Sequence, residues 1–131
     1  PGSSPRSLPP LPGSEGVFVA WFWSGNGRHI AGSEMHPDGT LSGIWIYSLD
    51  TGQYARLSDR GADPVWLNDG RRLLFHQQGK LYLLDSETRK VQELLSASPR
   101  SIGRATLSPD NRIIYVQLSS TEADIWLATL Q

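Results

Sequence analysis

The chain of 131 residues is long enough to bury a core without disulfides or metals to staple it, and one domain's worth of sequence is the first expectation. It has no cysteine, which excludes a thiol nucleophile, a cysteine-ligated zinc site and an iron–sulfur cluster. Twelve Lys and Arg against thirteen Asp and Glu leave a net charge of −1, without the basic footprint of a nucleic-acid binder or a polybasic membrane-surface protein. No nucleic-acid partner is therefore expected. The longest apolar run, Gly16 to Trp23, is far shorter than the ~20 residues that span a bilayer, and no basic-then-apolar leader pattern opens the chain, so no membrane insertion is expected.

The first sixteen residues carry Pro1, Pro5, Pro9, Pro10 and Pro12 among four serines and three glycines, a composition that disfavours helix and reads as an extended arm or linker over residues 1–16. From Val17 onward strand-forming residues are interrupted every few positions by Gly, Asn, Asp or Ser, and no amphipathic helical stretch exceeds about two turns. The fold class read from this pattern is all-β.

An internal repeat then sets the architecture. The stretch Trp23-Ser24-Gly25-Asn26-Gly27-Arg28-His29-Ile30-Ala31 aligns with Trp66-Leu67-Asn68-Asp69-Gly70-Arg71-Arg72-Leu73-Leu74 and with Leu107-Ser108-Pro109-Asp110-Asn111-Arg112-Ile113-Ile114-Tyr115. Each copy is a bulky apolar residue, a turn, an Arg and an apolar pair, in that order. Each is followed by an aromatic between apolar residues: Ile44-Trp45-Ile46-Tyr47, Lys80-Leu81-Tyr82-Leu83-Leu84 and Asp124-Ile125-Trp126-Leu127. The period of just over forty residues is that of a four-stranded propeller blade, ~40 to 50 residues, in which a hairpin leads to a third and an outer fourth strand. Three blades follow, at about 17–58, 59–96 and 97–131.

The Trp-Ser-Pro-Asp-Gly-Arg type of turn, followed by an Ile-Trp-Ile-Tyr or Leu-Tyr-Leu-Leu-Asp strand, resembles the repeats of the TolB-like (WD-like) β-propeller family over Val17 to Gln131. Gly25-Asn26 and Leu67-Asn68 depart from the usual Ser-Pro-Asp, and Leu107 stands where Trp is usual. The ending Ala123 to Leu130 is similar to the final blade of bacterial proteins that carry such a propeller behind a kinase or DNA-binding domain. The resemblance implies a propeller of mainly six blades in a bacterial protein, periplasmic or cytoplasmic, and leaves the compartment open.

Three blades cannot close a ring, so two copies related by a twofold axis are expected to form a six-bladed homodimer. The last blade shows only three strands, near Ala105, Ile113 and Ile125. Leu11 precedes Trp23 by the twelve positions that separate Leu95 from Leu107, so Arg6 to Leu11 is a candidate outer strand for a partner's third blade, with Pro9 and Pro10 restricting it to an edge.

Motifs for catalysis are missing. His29, His36 and His76 show no metal-ligand spacing, Gly25-Asn26-Gly27 is followed by no helix that could bind phosphate, and Gly-x-Ser-x-Gly is absent. His29 and His76 read as ordinary strand positions. Asp50, Asp85 and Asp110 recur at turns, where bonding to the local backbone explains them. Trp23, Trp45, Trp66 and Trp126 are expected to pack between blades, whereas Trp21 falls outside the register and could face solvent or a partner. The long loop Glu34 to Ser42 and the inter-blade segments Ser58 to Asp63 and Ser96 to Arg104 should share the face around the mouth of the central channel. That selects His36, Asp38, Arg60, Asp63, Arg100 and Arg104 as candidate contacts. The reading is a scaffold with no catalytic residue, no metal and no cofactor, binding a protein, peptide or small ligand. The rival readings are a regulatory or gating fragment of a larger peptidase or kinase and an excised half-propeller without a selected ligand.

Overall fold

The computed structural model describes residues 7–119 and 124–130, and among these every regular element is a strand. The first sheet holds β1 (Val17–Trp23), β2 (His29–Met35), β3 (Leu41–Ser48) and β4 (Gln53–Ser58). The second holds β5 (Ala62–Trp66), β6 (Arg72–Gln77), β7 (Lys80–Asp85) and β8 (Val91–Ser96). The third holds β9 (Ile102–Leu107), β10 (Ile113–Leu118) and β11 (Asp124–Thr129). All neighbours are antiparallel and follow chain order, so each sheet is a meander. The third sheet has three strands among the described residues, where four-stranded blades are expected.

The repeat is a repeated hairpin. Its bulky residue ends the first strand of each sheet, and the next residue's amide closes the turn on His29 O (2.8 Å), Arg72 O (2.8 Å) or Ile113 O (2.9 Å). Gly27, Gly70 and Asn111 occupy the turn position that needs positive φ, at 71°, 65° and 59°. The Gly25-Asn26-Gly27 stretch is thus a hairpin turn. The turns also stack: Asn68 donates its side-chain amide to Pro109 O at 2.7 Å, and its main-chain amide to Asn111 Oδ1.

Strand alternation assigns each face to a neighbour. Leu73, Phe75 and Leu84 of the second sheet pack with Trp66 against Ala31, Ile44 and Leu57 of the first. Leu74 and Leu81, on the opposite face, pack against Ile102, Ala105, Ile114, Val116 and Leu118 of the third. Two faces remain open, one on each end sheet. Trp66 is buried between blades as the repeat implies, but its counterpart Trp23 is 60% exposed, contrary to expectation. The reason is positional: this residue packs toward the preceding blade, and the first sheet has none in the chain. Tyr115, which points the other way from the last sheet, is 38% exposed for the mirror-image reason. The side chain of Trp126 lies outside the described residues.

The arm does not project as a tether. Ser7 to Gly16 runs over the open face of the first sheet, Leu11 is only 4% exposed, and Tyr54 of β4 donates its hydroxyl to Pro9 O at 2.6 Å. Ser7 to Leu11 forms no strand in the single chain, and Arg6 lies outside the described residues.

Candidate functional site

The first strands β1, β5 and β9 form the inner edges of the three sheets, β5 lying beside both others. Two of them break register here. β1 shifts between Ala20 and Phe22, leaving Trp21 as the bulged residue, and β5 shifts between Ala62 and Val65, with Asp63 held at φ 53°. Bulges re-aim side chains out of the pleat. Together with Arg104 of β9 they make a cluster drawn from all three blades.

Asp63 is its centre. Its Oδ2 lies 2.6 Å from His76 Nε2 and 3.5 Å from Arg104 Nε, while its main-chain amide donates to Ser33 Oγ at 3.2 Å. The hydrogen bond with His76 holds the carboxyl below its ordinary value of 3.8; burial opposes this, and the charges of His76 and Arg104 reinforce it. The Arg104 guanidinium lies over the Trp21 ring, 4.9 Å from its centroid, in cation–π contact. Trp21, Asp63, Val65, Arg104 and Thr106 border a hollow of about 180 Å³. Two buried polar atoms of these lining residues, Asp63 Oδ1 and Trp21 Nε1, have no hydrogen-bond partner. Such atoms cost stability unless something satisfies them.

The six residues selected from sequence divide accordingly. Asp63 and Arg104 come together, though on strands rather than loops. Arg60 and Arg100 lie in the inter-blade segments at the same end of the sheets, where the loop after β2 also lies, and Arg60 is exposed, its amide donating to Ser58 Oγ at 3.1 Å. Asp38 is occupied by its own turn, accepting from Thr40 Oγ1 at 2.6 Å and Thr40 N at 2.9 Å. His36 belongs to a separate cluster on the open face of the first sheet. There the buried Glu34 accepts from Trp45 Nε1 at 3.0 Å and from Ser14 Oγ, with His36 Nδ1 at 3.6 Å and Arg56 at 4.0 Å. Burial raises the Glu34 pKa, but the two hydrogen bonds and two neighbouring charges outweigh it, and the net position is below the ordinary 4.5. His76, read as an ordinary strand position, is instead the nearest partner of Asp63. Only the alternation that puts His76 opposite Ala62 could have signalled it.

The repeated turn carboxylates are structural. Asp85 accepts from Arg71 Nε, Thr88 N and Glu87 N, which with the Arg71 charge outweigh burial and place its pKa at about 2, and Asp110 accepts from Ser108 Oγ and Arg112 N. Asp50 faces Arg28 at 3.8 Å. Among the described residues no three His, Asp or Glu side chains are grouped to hold a metal, and no helix is long and apolar enough to cross a membrane.

No family model and no curated protein matches the sequence. Solved structures do match in shape. A protein described as TolB from Agrobacterium tumefaciens superposes with a TM-score of 0.72 at 16% identity, over 92% of this chain and 47% of that one. A conserved lipoprotein from Clostridium novyi NT gives 0.66 at 19% identity, over 91% of each chain. An oligogalacturonate lyase from Vibrio parahaemolyticus gives 0.63 at 15%, over 77% of this chain and 30% of that one. The chain therefore spans about half of the first and a third of the last.

Proposed function

Taking the fold as that of a TolB-like β-propeller, we propose that the chain is a non-catalytic binding module whose ligand, a peptide segment of a protein, docks at the inner-edge cluster around Asp63. The observation that carries this is the pair of orphaned atoms, one acceptor, Asp63 Oδ1, and one donor, Trp21 Nε1, on two residues that border the same hollow. A peptide group offers one N–H and one C=O, the complement of that pair. The Arg104 side chain, 61% exposed, lies across Trp21 and is the piece that can move aside to admit it.

Against catalysis stands the burial of the hydroxyl hydrogen-bonded to this cluster. Asp63 and His76 make the carboxylate–imidazole half of a hydrolytic triad, but the hydroxyl tied to them, Ser33, is fully buried and accepts from the Asp63 amide. The rival reading, a gating propeller within a larger enzyme, draws on the small share of the lyase that this chain spans.

Titration of the ¹⁵N-labelled protein with short peptides blocked at both ends tests the proposal, read at the Trp21 indole N–H and assigned by Trp21→Phe. A saturable shift that disappears in Asp63→Ala is expected. An indole resonance that none of the peptides moves would refute it, and peptide hydrolysis that survives repurification and vanishes in His76→Ala would replace it with an enzyme.

A further inference from the structure

We infer that the docked peptide presents an arginine side chain to the Asp63 cluster, where its guanidinium takes the place that Arg104 now occupies over Trp21 and beside Asp63. This rests on the reading of the cluster as a peptide site and names the side chain that the site selects.

The cluster already holds a guanidinium, and holds it loosely. Arg104 lies over the Trp21 ring, 4.9 Å from its centroid, but its Nε stands 3.5 Å from Asp63 Oδ2, longer than the ~2.7–2.9 Å of a charge-assisted pair, and its side chain is 61% exposed. Asp63 is in the opposite state. Its side chain is 13% exposed, His76 and Arg104 both approach Oδ2, and Oδ1 accepts nothing. An ionised carboxylate has acceptor positions on both oxygens, and a buried one left empty is costly. A guanidinium is the donor whose planar fork can serve both oxygens at once.

The walls suit the rest of an arginine. Phe22 of β1, Val65 of β5 and Ala105 of β9 line the hollow with apolar surface, a bed for the aliphatic stem, while Trp21 and Asp63, which line it too, supply a ring face and a negative charge. All of these residues come from β1, β5 and β9, so the site needs nothing from outside the three strands. A lysine ammonium would bring the charge but neither flat stacking on an indole nor a two-pronged bond to a carboxylate.

Blade architecture does not demand these charges. Ala20, Asp63 and Arg104 each stand three residues before the bulky residue of the repeat, Trp23, Trp66 and Leu107, so one position of the inner strand is neutral, acidic and basic in turn. The first sheet forms with alanine there. The His76 hydrogen bond holds the Asp63 carboxyl below its ordinary value, against burial, so the site is charged at neutral pH. Arg104, fixed on β9 at high effective concentration, is then a resident competitor that a ligand arginine displaces.

Acetylated, amidated tripeptides with arginine or citrulline between two glycines test this, titrated into the ¹⁵N-labelled chain and read at the Trp21 indole N–H. Citrulline keeps the length and shape of arginine and loses its charge. The arginine peptide should bind about tenfold more tightly, the loss expected when a charged donor to a buried carboxylate becomes neutral. Arg104→Ala, which removes an exposed side chain, should tighten the arginine peptide severalfold and by more than the citrulline peptide, and Asp63→Asn should abolish the preference. Equal affinities for the two peptides in the unmodified chain overturn the arginine assignment and leave the peptide site standing. No shift with either peptide, in the unmodified chain and in Arg104→Ala alike, removes the site and the assignment together. A weaker arginine complex in Arg104→Ala overturns the exchange, because the resident guanidinium would then be part of the site. If Asp63→Asn fails to fold, the two peptides compared on the unmodified chain decide.

Discussion

Shortening Leu11 to alanine separates an arm that is part of the fold from one that is a tether. Leu11 is 4% exposed although it lies in a proline-rich segment without regular structure. Truncating a buried leucine costs ~2–5 kcal/mol, the spread reflecting how far the site can collapse. Here one side of Leu11 is the sheet face of Phe18 and Tyr54 and the other is a thin strip of chain held by the Tyr54 to Pro9 hydrogen bond, with an open groove beside it. That arrangement relaxes easily and points to the lower end, about 2 kcal/mol. For a chain of this size the melting temperature should fall by roughly 4–8 °C. Thermal and urea unfolding at one fixed protein concentration measure it. A change below ~0.5 kcal/mol, the scatter of neutral surface substitutions, would refute the packing of the arm.

Three further outcomes follow from the same geometry. Gly61→Ala should destabilise by more than ~2 kcal/mol, because Gly61 has φ 92° and an added Cβ would fall 2.3 Å from the Phe75 ring, whereas Gly27→Ala, at φ 71° with open space around it, should cost only about 1; parallel urea titrations compare them. Asp63 and Glu34 both have folded pKa values below their ordinary 3.8 and 4.5, so their contribution is complete above the ordinary values and is lost as the pH falls through them. Urea midpoints measured from about pH 6 to about pH 3 should therefore drop on the acid side, and the drop should be smaller in Asp63→Asn. Trp45→Phe removes the indole donor to the buried Glu34 and should cost ~1–3 kcal/mol, with a rise in the Glu34 pKa by carboxylate NMR.

The blades were legible because each is written locally. Trp66-Leu67-Asn68-Asp69-Gly70 and its two copies encode strand, turn and strand within nine residues, and the structure builds the same hairpin three times. Their spacing also suffices to infer a propeller. What escaped is what depends on position in the stack or on broken register. Trp23 and Trp66 are the same repeat position, yet one is exposed and the other buried, because burial is conferred by a neighbouring sheet that sequence does not supply. The Asp63 cluster draws Trp21, Asp63, His76 and Arg104 from four strands, and two of the four sit at bulges that strict alternation cannot anticipate. His36 stands apart from the Asp63 cluster for a related reason: its ring lies beside the buried Glu34, a contact that spacing along the chain does not announce.

Titration of the ¹⁵N-labelled protein with short peptides blocked at both ends tests the central claim, that the inner-edge cluster around Asp63 takes a peptide group, most directly. The account predicts a saturable shift of the Trp21 indole N–H that disappears in Asp63→Ala. An indole resonance that none of the peptides moves would contradict it.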